Sequence, residues 1–231
     1  MIVTETNLGF KIEAGKYVAL FGGQKANLTN LKASFENFEF IRVKQTHSDL
    51  SVLSNDVELD YKVEADGHFT QKQNTALLVS TGDCIPVLIY DPQTEYIAAI
   101  HAGWRGVANR IVPKTLSLLQ SQGCEVKNMR VLIGPHIQQN SFEVNNEVRD
   151  EILRSINHVS DQPHDLYQKA IGGDKSLVDL NQVMRTQLQT FGIEFDHLYN
   201  LHLDTMTDLR FHSYRRDKQQ SGRQLSFICK T

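Results

Sequence analysis

The chain has 231 residues, enough to bury a sizeable core, and is 40% hydrophobic and 22% charged with no biased tract that would argue for disorder. A formal net charge of −3, with lysines and arginines scattered apart from Arg215–Arg216, excludes an extended cationic face for nucleic acid and leaves small anions as the charged ligands. No apolar stretch is long enough for a bilayer, and the polar start Met1–Gly9 lacks a signal-peptide pattern. One domain over 1–231, a cytoplasmic location and no membrane are therefore expected, with the three cysteines, an odd number, reduced.

In chain order, Tyr17–Phe21, Phe40–Val43, Thr75–Ser80, Pro86–Tyr90 and Tyr96–Ile100 carry the β-branched, aromatic or alternating pattern of strands. A helix follows within Val107–Gln122. Pro113 lies inside it, where it would remove a backbone donor, so the regular part is expected to start just before it. Arg130–Ile133 reads as a strand and Val144–Ile156 as a helix. In Leu177–Phe191 the residues Leu177, Leu180, Met184, Leu188 and Phe191 recur at helical spacing, with Gly192 as the stop. Strands Leu198–Leu203 and Leu225–Cys229 close the chain. The expectation is an α/β (α+β) fold in which mixed sheets are flanked by helices.

Chemistry gathers at three strand ends. A strand runs through Gly82-Asp83-Cys84 into a second strand; after an Asp91-Pro92-Gln93 turn, a third ends at His101-Ala102-Gly103-Trp104-Arg105-Gly106. His47, in Gln45-Thr46-His47-Ser48-Asp49, again lies just past a strand. A thiolate and two imidazoles suit zinc, which accepts both donor types and in catalytic sites keeps three protein ligands plus a water. On spacing alone the triplet is one of many that nine histidines and three cysteines offer, and inert burial of Cys84 with locally bonded histidines is an open reading.

The same segments resemble the YfiH-type family, often labelled laccase-domain or polyphenol oxidase and regarded as purine nucleoside phosphorylases with adenosine deaminase activity. The resemblance covers most of the chain. It rests on Gln45-Thr46-His47, Glu64-Ala65-Asp66-Gly67, Gly82-Asp83-Cys84-Ile85-Pro86-Val87, His101 to Gly106, Ile133-Gly134-Pro135-His136-Ile137 with Phe142-Glu143-Val144, and Ser213-Tyr214-Arg215-Arg216-Asp217 with Ser221-Gly222-Arg223. It implies a YfiH-like layered domain and zinc on His47, Cys84 and His101. It also implies a purine nucleoside (adenosine, inosine, guanosine or methylthioadenosine) and phosphate as partners. Older family labels imply copper and phenol oxidation, ranked lower because this chain lacks His-x-His pairs. Two departures stand out: Phe21-Gly22-Gly23-Gln24 is a shortened form of a loop that reads Gly-Gly-Val-Ser in many relatives, and Leu203-Asp204 replaces a common Cys-Thr pair.

Phosphorolysis needs an anion clamp. Arg105, opening a helix four residues after His101, is the first candidate and Arg215 the second, each with a structural salt bridge as its plain alternative. Cys84 and Asp83 are the further catalytic candidates; Asp83 could move a proton or equally cap its turn. His68 reads as local structure, His136 as a surface-loop residue, and Trp104 as either a base-stacking or a packing side chain. Two rival readings use the same residues. One is a metal-free cysteine hydrolase with Cys84 as nucleophile and His101 as base, including an editor of cell-wall precursors; the other is a binding module braced by zinc. Oligomeric state is not legible.

Overall fold

The computed structural model describes residues 1–55, 60–156 and 164–231. One sheet has six strands in the order β1 (Ile2–Thr6), β2 (Gly9–Ala14), β3 (Tyr17–Gly22), β15 (Gln224–Lys230), β7 (Thr75–Thr81) and β4 (Glu39–Arg42). A second six-stranded sheet runs β14 (Leu198–Asn200), β10 (Arg130–Ile133), β8 (Ile85–Tyr90), β9 (Ile97–Ala102), β6 (Gly67–Thr70) and β5 (Ser51–Leu53). Parallel pairs β4–β7, β5–β6 and β10–β14 sit among antiparallel ones, so both sheets are mixed. A three-stranded sheet of β11 (Glu143–Asn145), β13 (Lys175–Val178) and β12 (Gln168–Gly172) lies apart from them.

The two large sheets pack face to face, and the period of two along each strand decides which layer a side chain joins. Leu77 and Val79 of β7 meet Leu88 and Tyr90 of β8 and Ile97 and Ala99 of β9 between the sheets. On the outer face of the first sheet, Ala76, Leu78 and Phe227 pack under Leu31 of helix α1 (Leu28–Ser34). Beyond the second sheet, Ile85, Val87, Ile89, Ala98 and Ile100 pack against helices α2 (Trp104–Ala108), α3 (Ile111–Ser121), α4 (Asn146–Arg154) and α5 (Leu180–Phe191). Strands β8 and β9 are therefore covered on both faces, which is why they read as unbroken apolar runs. Each such fully buried aliphatic side chain contributes roughly 1.5–3 kcal/mol. No helix among the described residues is long and apolar enough to cross a membrane.

Several expected boundaries move. Leu177 belongs to β13, opposite Glu143, and the helix starts only at Leu180, because Asp179 caps it by accepting from the Gln182 N–H at 2.8 Å. The helical spacing from Leu177 to Leu180 was coincidental. Val144 likewise pairs with Ser176 in β11, so α4 begins at Asn146 and ends at Arg154. The segment 107–122 divides into α2 and α3, and Pro113 falls in the first turn of α3, where its missing N–H has no partner to lose. The expected strand over 198–203 stops at Asn200, where its parallel partner β10 also ends. The hairpin β1–β2 was not anticipated.

Candidate active site

Strand register brings the site together. In the β8–β9 ladder Ile85 pairs with Ala102 and Pro86 with His101, so Cys84, one residue before β8, falls beside Gly103. In the β6–β9 ladder Gly67 pairs with Ile100, which sets Asp66 next to His101, and the His101 N–H donates to the Asp66 carbonyl at 2.7 Å. A parallel bridge between Lys44 and Glu64 then draws the 45–48 loop alongside. The ligand atoms of His47, Cys84 and His101 lie within 4.8 Å of one another, with the two imidazole planes at 87°.

The Asp66 carboxylate, fully buried, organises two of these three residues. Its Oδ1 accepts from the His47 backbone N–H at 3.0 Å and from His101 Nδ1 at 2.7 Å. Its Oδ2 accepts from the N–H groups of Thr46 and Ser48 and from the Ser48 hydroxyl. These bonds hold His47 at φ 60°, a left-handed conformation that costs a non-glycine residue on the order of 1 kcal/mol. They also fix His101 with Nδ1–H on the carboxylate, leaving Nε2 for the donor cluster. Burial opposes ionisation of Asp66, but the hydrogen bonds from His101, Ser48 and Thr46 overcome it and bring the carboxyl down to about 2. In the sequence Asp66 is one of two acids in Glu64-Ala65-Asp66-Gly67, and nothing there marks it for this role; its burial and its donors exist only once the strands have paired.

Burial works against the Cys84 thiolate as well, yet the adjacent imidazoles of His101 and His47 outweigh it and lower the thiol. His101 moves the opposite way: burial disfavours its charge, while the Cys84 sulfur and Asp66 raise it. Both shifts favour the charged form of their group. The donors also fit a cation. Two imidazole nitrogens and a thiolate sulfur within 4.8 Å of one another are a donor set that zinc accepts. A Cβ on Gly103 would come within 3.0 Å of His47 Cδ2 and 3.2 Å of Cys84 Sγ, so the cradle needs glycine there. Among the described residues no fourth ligand joins the three.

The donors open into a cavity of about 650 Å³. Tyr61, Trp104, Phe142 and Tyr214 supply aromatic walls, and Arg42, Arg215 and Arg223 border it. Asp83 also lines it, but its carboxylate accepts from Thr205 Oγ1 at 2.8 Å and from the Arg215 N–H at 2.6 Å. Arg105 does not border the cavity; it is exposed, with its guanidinium 4.4 Å from the Trp104 ring centre. His68 is structural, bonded to Ser54 and the Leu78 carbonyl, and burial lowers it to about 4. His136 corrects the expectation of a surface residue: it is fully buried, Nδ1–H donates to the Gly134 carbonyl and Nε2 accepts from Gln138, and burial again lowers it to about 4. The local reason is a strand end that Gly134 lets run hard against Phe21, where a Cβ would sit 2.1 Å from the ring. Neither 21–24 nor Leu203-Asp204 borders the cavity.

A family model described as multi-copper polyphenol oxidoreductase laccase matches residues 22–231. The chain belongs to this laccase family. A purine nucleoside phosphorylase of Clostridium acetobutylicum is 32% identical over 206 residues, 88% of this chain and 82% of that protein. A purine nucleoside phosphorylase of Staphylococcus aureus is 30% identical over 168 residues, 71% of this chain but only 59% of its own length. The structure of YfiH from Bacillus licheniformis superposes with a TM-score of 0.86 at 25% identity, covering 98% of both chains. YlmD of Geobacillus stearothermophilus, at 23% identity and a TM-score of 0.82 over 94% of this chain and 92% of its own, has the same fold.

Proposed function

We propose that this laccase-family chain is a zinc-dependent purine nucleoside phosphorylase that also deaminates adenosine, with adenosine, inosine, guanosine and methylthioadenosine as its substrate class. The observation that carries the reading is a three-donor site with no fourth protein ligand among the described residues, opening into an aromatic and arginine-lined cavity, in a chain whose relatives bear the phosphorylase name. A structural zinc site is usually closed by four protein ligands, so the braced binding module is the weaker alternative.

Zinc, when bound, supplies Lewis-acid chemistry and lowers the pKa of a water. The chain's own residues do the rest. Trp104 and Phe142 offer faces for a flat base, and Arg215 offers positive charge to phosphate. In phosphorolysis a phosphate oxygen bonds to C1′ as the bond from C1′ to the purine nitrogen breaks; the electron pair leaves with the base, which takes up the proton phosphate gives up. In deamination water adds at C6 and ammonia departs, with no phosphate needed. Multicopper oxidase chemistry is disfavoured by the absence from the sequence of the His-x-His pairs it typically uses.

The test offers inosine with and without phosphate, and adenosine alone, to zinc-loaded and chelator-stripped protein. Hypoxanthine released only with phosphate and only by loaded protein supports the reading; neither reaction appearing refutes it. The proximity of Cys84 to His101, with the thiol lowered beside the imidazole, favours one second reading, a metal-free cysteine hydrolase. Covalent acylation of Cys84 by an ester or amide substrate, unaffected by chelation, would establish that instead.

A further inference from the structure

Three arginines border the cavity, and they are not equivalent. Arg42 gives Nε and Nη2 to the two oxygens of Asp60, so its charge is matched. Arg215 and Arg223 have no carboxylate within salt-bridge distance among the described residues. Each spends one nitrogen on backbone: Arg215 Nη1 on the Glu143 carbonyl, and Arg223 Nη1 on the carbonyls of Ser221 and Gly222. Their Nε and Nη2 donors have no acceptor among the described residues, and both guanidinium groups lie over aromatic rings, Phe142 and Tyr214. Arg215 is half-buried and Arg223 exposed at the rim, and both leave guanidinium donors free for an anion in the cavity they share.

Both are hung on the turn that carries Cys84. The β15–β7 register pairs Gln224 with Thr81, which sets Arg223 beside Gly82; Gln224 Nε2 donates to the Gly82 carbonyl at 3.1 Å. A Cβ at Gly82 would touch Arg223 Nη1 at 3.4 Å. The loop before it is locked, since Gly222 lies flat on the His212 ring, where a Cβ would come within 2.4 Å. On the other side Asp83 Oδ2 accepts the Arg215 N–H. Gly82, Asp83 and Cys84 thus wire one arginine, the second arginine and a metal donor in three consecutive residues.

We infer that Arg223 and Arg215 form a two-armed clamp for inorganic phosphate, with Arg223, not Arg105, as the second arm. The inference rests on the phosphorylase reading for its biological role, but phosphate binding is measurable without it. Removing one arm deletes charge-assisted hydrogen bonds to phosphate and lowers its affinity by roughly 10- to 100-fold.

The experiment titrates inorganic phosphate alone into zinc-loaded wild-type chain and Arg223→Gln by calorimetry, then measures KM for phosphate and for inosine separately. Arg223→Lys, which keeps the charge, should recover part of the affinity, and zinc content with thermal unfolding verifies that each variant is folded. A raised phosphate Kd and KM with inosine KM within about twofold supports the clamp. Unchanged phosphate binding in Arg223→Gln overturns it while leaving the phosphorylase reading intact. Phosphate binding that depends on Arg223 in a chain without phosphorolysis would uphold the clamp and overturn that reading. An Arg223→Gln variant that changes inosine KM as much as phosphate KM also overturns it, because the residue then shapes the cavity as a whole.

Discussion

Replacing Asp66 by asparagine keeps the volume and removes the charge on which both histidine positions depend. Asp66 accepts five hydrogen bonds, and an amide nitrogen cannot accept at whichever position it takes, leaving at least two of those donors unsatisfied. Each buried donor so orphaned costs about 1–3 kcal/mol, and loss of a carboxylate behind a metal-binding histidine typically weakens metal affinity about 10- to 100-fold. The pH dependence has a definite sign. Asp66 is held near 2 in the fold against 3.8 ordinarily, so its contribution, on the order of 2 kcal/mol, is present above pH 3.8 and is lost as pH falls towards 2. Urea unfolding of metal-free protein across that window should show an acid limb in the wild type that is flattened in Asp66→Asn. Zinc competition against a chromophoric chelator should show the affinity loss. A variant with wild-type zinc affinity and an unaltered acid limb would refute the account of how His47 and His101 are positioned.

Gly103→Ala tests the cradle with little backbone strain, since Gly103 sits at φ −70°. Its new methyl crowds His47 and Cys84, and zinc affinity should drop about tenfold while the metal-free thermal midpoint moves little; equal zinc binding would mean the ligands do not converge at that point. Alkylation of metal-free protein should label Cys84 first, with its rate rising at a pH well below that of a free thiol. Cys124 and Cys229, pushed up by burial to about 11 and about 12, should react only on unfolding. Zinc should protect Cys84, and mass spectrometry of the labelled peptides reads all three.

The strands over 75–80, 86–90 and 130–133 were legible because β-branched and apolar runs bounded by turns admit few other structures, and Gly192 ended α5 in the left-handed conformation its position required. Local pattern failed where a strand runs directly into a helix, at Asp179 and Asn145, because a cap residue looks like any polar residue until the chain turns around it.

The ligand triplet is a sharper case. Side-chain chemistry and a family resemblance singled out His47, Cys84 and His101, but spacing along the chain carries almost no information about distance across a sheet. Pairing of Ile85 with Ala102 and of Gly67 with Ile100 is what sets Cys84 and Asp66 beside the end of β9. Sequence by itself determined which side chains could bind a metal cation and which segments would form the central strands, but not the β1–β2 hairpin or the small sheet of β11 to β13. Tertiary structure alone decided that Asp66 would orient two of the candidate ligands, that Arg105 would lie outside the cavity, and that Arg223 would lie against Gly82, because register is a property of paired strands and belongs to neither one.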